Sequence, residues 1–367
     1  MAGSTYGTIF KLTTWGESHG NGVGVVIDGC PAGLSLSEED IQAALNRRKP
    51  GQTIYSTPRK ENDEVEILSG VFKGVTTGTP ISLIVKNENQ RSRDYGNLAY
   101  TYRPGHADYT FDKKYGIRDY RGGGRSSGRE TIGRVAAGAI ATKFLKELGI
   151  SFTTYSKSIG PIVVEHDEYE YSQITQNPLY MPHATKAKEA ELYLQNCMQA
   201  HDSSGGSIEC VISGVPIGLG EPVFEKLDAA LSKAVMSIGS VKGIEIGSGF
   251  SVSSLKGSTI NDCFFSENDS VKKASNHAGG ILGGMSDGSD IILHAAIKPT
   301  PSIGIAQKTI TDSNENVEIS IGGRHDPIIV PRAVVVVEAM AAVTIADFVL
   351  LNMSSRLDRI RAFYQAD

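Results

Sequence analysis

Ile27-Asp28-Gly29-Cys30-Pro31-Ala32-Gly33-Leu34 returns half a chain later as Ile212-Ser213-Gly214-Val215-Pro216-Ile217-Gly218-Leu219, identical at five of eight positions. Each copy follows a run rich in β-branched residues, 23–28 and 207–213, and precedes a segment with helical character. Gly-Pro turn chemistry is common enough for such an echo to arise by chance. A duplicated strand-turn-helix unit is the better reading, because the copies sit at matching places in two halves of similar length. No Pro/Ser-rich linker or charge block divides those halves. Residues 1–367 are therefore expected to form a single domain around a shared core.

Working outward, Ser37 with Asp40 fits an N-cap before a helix over 41–48, and further helices are expected at 129–148, 184–200, 222–237 and 332–361. Strand character recurs at 65–72, 81–85, 291–297 and 317–321. Residues 333–351 are apolar enough to raise the question of a membrane span. They carry Glu338 and Asp347, and a carboxylate at mid-bilayer costs about 2.5–3.5 kcal/mol, so a helix buried in the core with its carboxylates at polar edges is expected.

A hydrophobic fraction of 40% and a charged fraction of 21% are those of a globular protein of 367 residues. The net charge of −5 sets the global field against nucleic acid and anionic membrane, leaving anion binding to local clusters and pointing to a small-molecule partner. Cys30, Cys197, Cys210 and Cys263 lack metal or redox spacing and are expected to pack as small hydrophobes. The first twenty residues show no signal-peptide core, so a reducing cytoplasmic setting is expected.

The densest local signal is Arg118-Asp119-Tyr120-Arg121-Gly122-Gly123-Gly124-Arg125-Ser126-Ser127-Gly128-Arg129-Glu130, with Arg134 one turn on. Glycines free the backbone amides, serines add hydroxyl donors, and the following helix offers its positive end, so the run reads as an anion cradle. It matches neither nucleotide-loop fingerprint. A second basic group, Arg47-Arg48-Lys49 with Arg59 and Lys60, suits a substrate bearing phosphate and carboxylates. His19 in Gly16-Glu17-Ser18-His19-Gly20 and His106 in Arg103-Pro104-Gly105-His106-Ala107-Asp108 lie in turn-forming runs, where loop-borne proton-transfer groups sit. His166, His183 and His201 read as surface. No Cys/His or His-Glu pattern indicates a metal. The runs Asn276 to Gly284, Lys298-Pro299-Thr300-Pro301-Ser302 and Gly322 to Pro327 are further Gly/Pro loops with scattered donors.

In this order, from residue 1 to about 351, these motifs closely resemble the chorismate synthase family; residues 161–200 are least alike. The resemblance implies an α+β fold, a β-α-β sandwich with helices packed between antiparallel sheets, in keeping with the internal duplication. It implies elimination of phosphate from 5-enolpyruvylshikimate 3-phosphate to give chorismate, the last step of the shikimate pathway, with reduced FMN required and not consumed. It further implies a homotetramer. By position, His19 would protonate the departing phosphate and His106 would stabilise the reduced flavin. Asp326 would assist proton removal, with Ser18 and Ser127 as relay hydroxyls. The flavin site would include Arg125, Ser126, Ser127, Gly239, Ser240, Gly283, Lys298, Pro299, Thr300, Pro301, Ser302 and Arg324. Arg48 and Arg134 would face the substrate or NADP. The family's Asn-Ala is Gly239-Ser240 here, and Ile54 stands where many members carry an arginine that Arg59 cannot be assumed to replace. NADPH is a candidate source of reducing equivalents, either directly or through a separate flavin reductase. Two rivals remain. An FMN-dependent oxidoreductase would consume NAD(P)H in step with product, and an anion-binding scaffold would leave His19 and His106 dispensable.

Overall fold

A computed structural model describes residues 3–56, 61–87, 99–321 and 326–365. Its first half runs β1 (Thr5–Tyr6), β2 (Lys11–Gly16), β3 (Gly22–Asp28), α1 (Glu38–Arg48), β4 (Val65–Ile67), the hairpin β5 (Val71–Phe72) and β6 (Val75–Thr76), β7 (Ile81–Lys86), α2 (Asp108–Tyr115) and α3 (Thr131–Lys146). The second half begins with β8 (Ser151–Ile159), β9 (Ile162–Val163), α4 (Ala184–Gln199), β10 (Gly206–Ser213), α5 (Leu227–Met236) and β11 (Val241–Ile246). It continues through α6 (Gly257–Ile260), the hairpin β12 (Phe264–Glu267) and β13 (Ser270–Lys273), and the hairpin β14 (Ile281–Leu282) and β15 (Met285–Ser286). Last come β16 (Ile291–Ile297), the pair β17 (Gln307–Ile310) and β18 (Asn316–Ile319), α7 (Val330–Leu351) and α8 (Leu357–Gln365).

Two five-stranded antiparallel sheets result, ordered β1-β2-β3-β7-β4 and, from the matching edge, β9-β8-β10-β16-β11. Strand for strand the two orders correspond. Residues alternate between faces with the period of two that a half-buried sheet demands: Val23, Val25 and Ile27 on β3 and Ile291, Leu293 and Ala295 on β16 are buried. The helices α1, α3, α5 and α7 fill the layer between the sheets, which makes the α+β sandwich.

The echoed turns occupy the same place in each sheet. Gly29 and Gly214 have φ of 78° and 79°, and Gly33 and Gly218 have 95° and 93°, left-handed angles that side chains resist. One hydroxyl locks each turn. Thr76 Oγ1 donates to Pro31 O at 2.7 Å and accepts from the Leu34 amide at 3.0 Å. Ser286 Oγ donates to Pro216 O at 2.6 Å and accepts from the Leu219 amide at 2.8 Å. Both come from the short hairpin before the fourth strand, so the duplication reaches well beyond the eight quoted residues.

Several boundaries differ from expectation. The 222–237 helix starts at Leu227, because Val223 takes a φ of 73° that no helix accepts. The 65–72 strand turns at Gly70 into a separate hairpin, and the 332–361 helix begins at Val330 and breaks after Leu351. Cys263 is exposed instead of packed. The apolar helix α7 is buried, as expected, but its carboxylates are not both at polar edges. Glu338 meets Arg47 at 2.6 Å, whereas Asp347 is buried and accepts the amides of Thr8, Ile9 and Phe10 at 2.9, 2.7 and 3.0 Å. Three amide donors replace the lost hydration of a carboxylate.

The two long helices touch where side chains vanish. A Cβ on Gly138 of α3 would lie 2.2 Å from the Cβ of Ala339 on α7 and 2.5 Å from its Cα. Backbone cannot yield as a side-chain tip can. Gly138→Val should therefore cost about 3 kcal/mol or more through overpacking; an unchanged urea midpoint would show that the helices are free to part.

Candidate active site

His19 stands on the β2–β3 turn. Its Nδ1 lies 3.2 Å from Ser18 Oγ, and its ring rests on Gly122 so closely that a Cβ there would be 2.2 Å from Cε1 and Nδ1. Gly123 packs likewise on Ser127, whose hydroxyl accepts the Arg129 amide at 3.2 Å. Consecutive glycines thus let the basic run pass directly over the histidine, and Ser18 and Ser127 come to the same loop cluster.

His106 stands in a second cluster. Its Nδ1 is 3.0 Å from Pro104 O and its Nε2 3.0 Å from Ser302 Oγ. Lys298 Nζ donates to Gly105 O at 3.0 Å, and the Lys298 amide donates to Ser240 O at 2.9 Å, so residues 103–108, 239–240 and 298–302 are one unit. Thr300 Oγ1 in this unit is buried with no hydrogen-bond partner among the described residues. Burial first, then the neighbouring Arg103 charge, lowers the His106 pKa, with the Pro104 carbonyl and Asp108 pulling against them. The ring is neutral near pH 7. Asp108 joins the clusters, pairing with Arg103 at 2.7 Å and with Arg118 of the basic run at 3.4 Å.

Asp326 pairs with Arg332 at 2.7 Å, and Arg332 Nε donates to Arg48 O at 3.0 Å. Beside it Pro327 O accepts the Ser204 amide at 2.9 Å, while Ser203 Oγ donates to Thr300 O at 2.7 Å, which sets Asp326 next to the Lys298–Ser302 loop. A cavity of about 490 Å³ opens near Arg332, lined also by Arg47, Lys49, Tyr55, Asn177 and Tyr180.

Each arginine of the run has a partner within the chain. Arg118 donates to Ala99 O at 2.6 Å, Arg121 meets Asp119 at 2.6 Å, and Arg125 donates to Gly16 O at 3.1 Å and Thr14 Oγ1 at 2.6 Å. Arg134 fastens Glu130 at 2.9 Å to Ser237 Oγ at 2.6 Å, where α3 meets the end of α5. Arg48 donates to Gly128 O at 3.1 Å and Asp63 at 2.9 Å. Guanidiniums in a partly desolvated layer need such partners, so these residues shape the loops and set the field instead of offering free hands. Ser126 remains beside them in the turn. Gly283 lies in the β14–β15 hairpin before β16, and Lys298 follows β16. Arg324, Arg59 and Lys60 lie outside the described residues.

Asp63 and Asn87 escaped the sequence reading. Asp63 carries no motif, yet its fully buried carboxylate holds Arg48 at 2.9 Å and Arg129 at 2.8 Å. Burial lowers the Arg48 guanidinium to about 10, with Asp63 opposing. Asn87 sits in a polar run after β7 that signals only a loop.

Two loop-borne histidines thus stand in different settings, each close to partnered guanidiniums and hydroxyl groups. The profile of the chorismate synthase family matches residues 10–350. Chorismate synthases of Agathobacter rectalis and Lachnoclostridium phytofermentans are 64% and 65% identical over 365 and 366 residues, each alignment covering 100% of both chains. That of Christiangramia forsetii is 52% identical over 97% of this chain and 100% of its own. A crystal structure of chorismate synthase superposes with a TM-score of 0.77 at 31% identity over 98% of each chain. The chain belongs to the chorismate synthase family, whose members are lyases.

Two measurements check the electrostatics. Asp63→Asn strands a buried Arg48 and should cost about 3–5 kcal/mol in urea unfolding; a loss near zero would mean that the pair is not buried in solution. The His106 resonance should titrate below the ordinary value of about 6.5. Because the folded pKa is the lower one, the stability contributed by neutral His106 is complete above that value and lost as pH falls through it toward the folded pKa. A His106→Gln variant should lose that part of the acid dependence; an unaltered profile removes His106 as its source.

Proposed function

We propose that this chain eliminates phosphate from 5-enolpyruvylshikimate 3-phosphate to give chorismate, using reduced FMN. The observation that carries the reading is the unit in which His106 sits between Pro104 O and Ser302 Oγ, with Lys298 and the partnerless Thr300 Oγ1 beside it. Such spare donors suit the polar edge of a flavin and its phosphate. Gly239, Ser240, Lys298, Pro299, Thr300, Pro301 and Ser302 fit one flavin-binding surface, and Ser126 and Ser127 border the adjoining histidine cluster. Arg125 contributes through the loop it fastens. Arg324 and Gly283 belong to the proposal by their motifs alone.

Reduced FMN, when bound, would supply electron density that favours departure of the allylic phosphate, without net consumption of reductant. The chain's own work is charge and proton control. His19 donates a proton from Nε2 to the leaving phosphate, with Ser18 holding Nδ1. His106, neutral before binding, gains a proton more readily once an anion lies beside it, because an opposite charge raises its pKa. Asp326, oriented by Arg332, assists removal of the ring proton, and Ser127 relays. Arg48 and Arg134 fix the surrounding positive field that favours phosphate departure. We extend the proposal to a single-domain protomer of a cytoplasmic homotetramer, its flavin reduced at the expense of NADPH here or by a separate reductase.

An anaerobic assay with dithionite-reduced FMN tests this by phosphate release and chorismate absorbance. His19→Ala should slow turnover about 10²- to 10⁴-fold with flavin affinity intact. His106→Ala should alter the flavin spectrum as well as turnover. Wild-type rates in both variants would refute the proton-transfer assignment, and flavin loss in His19→Ala alone would exchange the two roles. Stoichiometric NADPH consumption would favour the oxidoreductase.

A further inference from the structure

Asn87 directly follows β7, where the first sheet meets the His19 turn. Its Nδ2 donates to the carbonyls of Glu17 and Gly20, each at 2.8 Å, and these two peptide groups bracket Ser18 and His19. The Asn87 amide also donates to Asn21 O at 3.1 Å. Its Oδ1 accepts from Arg129 Nε. Arg129 is held in turn by Glu61 and by Asp63, the latter at 2.8 Å, and the second oxygen of Asp63 takes Arg48 at 2.9 Å. One planar amide therefore joins the histidine turn to a buried two-arginine ion group.

The chemistry of the neighbours dictates both the residue and its orientation. Turned over, the amide would set its oxygen against two carbonyl oxygens and its NH₂ against a guanidinium. A carboxylate would keep Arg129 but offer no donor to the turn. Only a side chain with two donors on one side and an acceptor on the other satisfies all three partners at this length. The other wall of the site is equally firm, since the His19 ring already touches Gly122. Between them the imidazole has one place to be.

We propose that Asn87 is a positioning residue for proton transfer: it fixes the turn that aims His19 and transmits to it the rigidity of the Arg48–Asp63–Arg129 group. The proposal rests on the reading of His19 as the proton donor. Misplacement of an acid by about 1 Å can cost on the order of 10²-fold in rate, with substrate binding largely unaffected.

The test is a double-mutant cycle in the anaerobic assay with Asn87→Asp, His19→Ala and the combined variant, alongside FMN affinity, KM and thermal midpoint. Asn87→Asp should lower kcat about 10- to 100-fold while KM and FMN affinity change little. The His19 ring resonances should shift, and in the His19→Ala background the same substitution should cost nothing further. Where Asn87→Asp does not fold, Asn87→Ser, which keeps one donor, is measured in the same way and should show an intermediate loss. A folded variant with wild-type kcat, or an equal loss in both backgrounds, overturns the proposal while leaving His19 in place. Full activity of His19→Ala overturns the His19 reading, and this inference falls with it.

Discussion

Everything in this fold hangs on two helices that meet with almost nothing between them. Gly138 of α3 lies against the backbone of Ala339 on α7, and that contact fixes the spacing of the helical layer on which both sheets pack. Both helices start beside Arg48: its side chain reaches Gly128 O just before α3, and its carbonyl receives Arg332 in the first turn of α7. The loops feeding those helix starts, 118–130 and 326–329, are thereby drawn to one region. The site is a product of core packing.

Charge in that region is arranged mostly in pairs. The arginines that distinguish the sequence bind carbonyls or carboxylates of their own chain, and the costliest of them, Arg48, is buried with a carboxylate that also serves Arg129. Taking such ions out of water is unfavourable unless every partner is held. Once assembled, such pairs hold one another rigidly in place. Mobile hydrogen-bonding capacity is left to lysine, hydroxyls and imidazoles, the groups that can change partners or protonation.

What the sequence disclosed was local, and what it hid was not. The turn residues 27–34 and 212–219 announce the duplication because positive φ and Pro geometry are written within eight residues. His19, His106 and the Gly122–Gly124 run are legible for the same reason. Strands β2, β8 and β11 are harder to see, because Lys11, Thr13, Lys157, Gly243 and Glu245 interrupt any apolar run. The partners of the arginines were invisible: Asp63 and Asn87 lie in ordinary polar loops, and nothing short-range marks them as the anchors of Arg48 and Arg129. Serine for threonine at 286 and 76 shows how the halves conserve a hydrogen bond while their letters drift.

Asp347 has a consequence in time. Its carboxylate receives the amides of Thr8, Ile9 and Phe10, which join the edge strand β1 to β2 in the first sheet. At about 5–20 residues per second, a ribosome reaches residue 347 on the order of tens of seconds after residue 8. Throughout that interval the amino-terminal strand has emerged without the acceptor it will finally use. The beginning of the chain is finished near its end, and a nascent protein of this design must wait for α7, its long penultimate helix, before its first strand can settle.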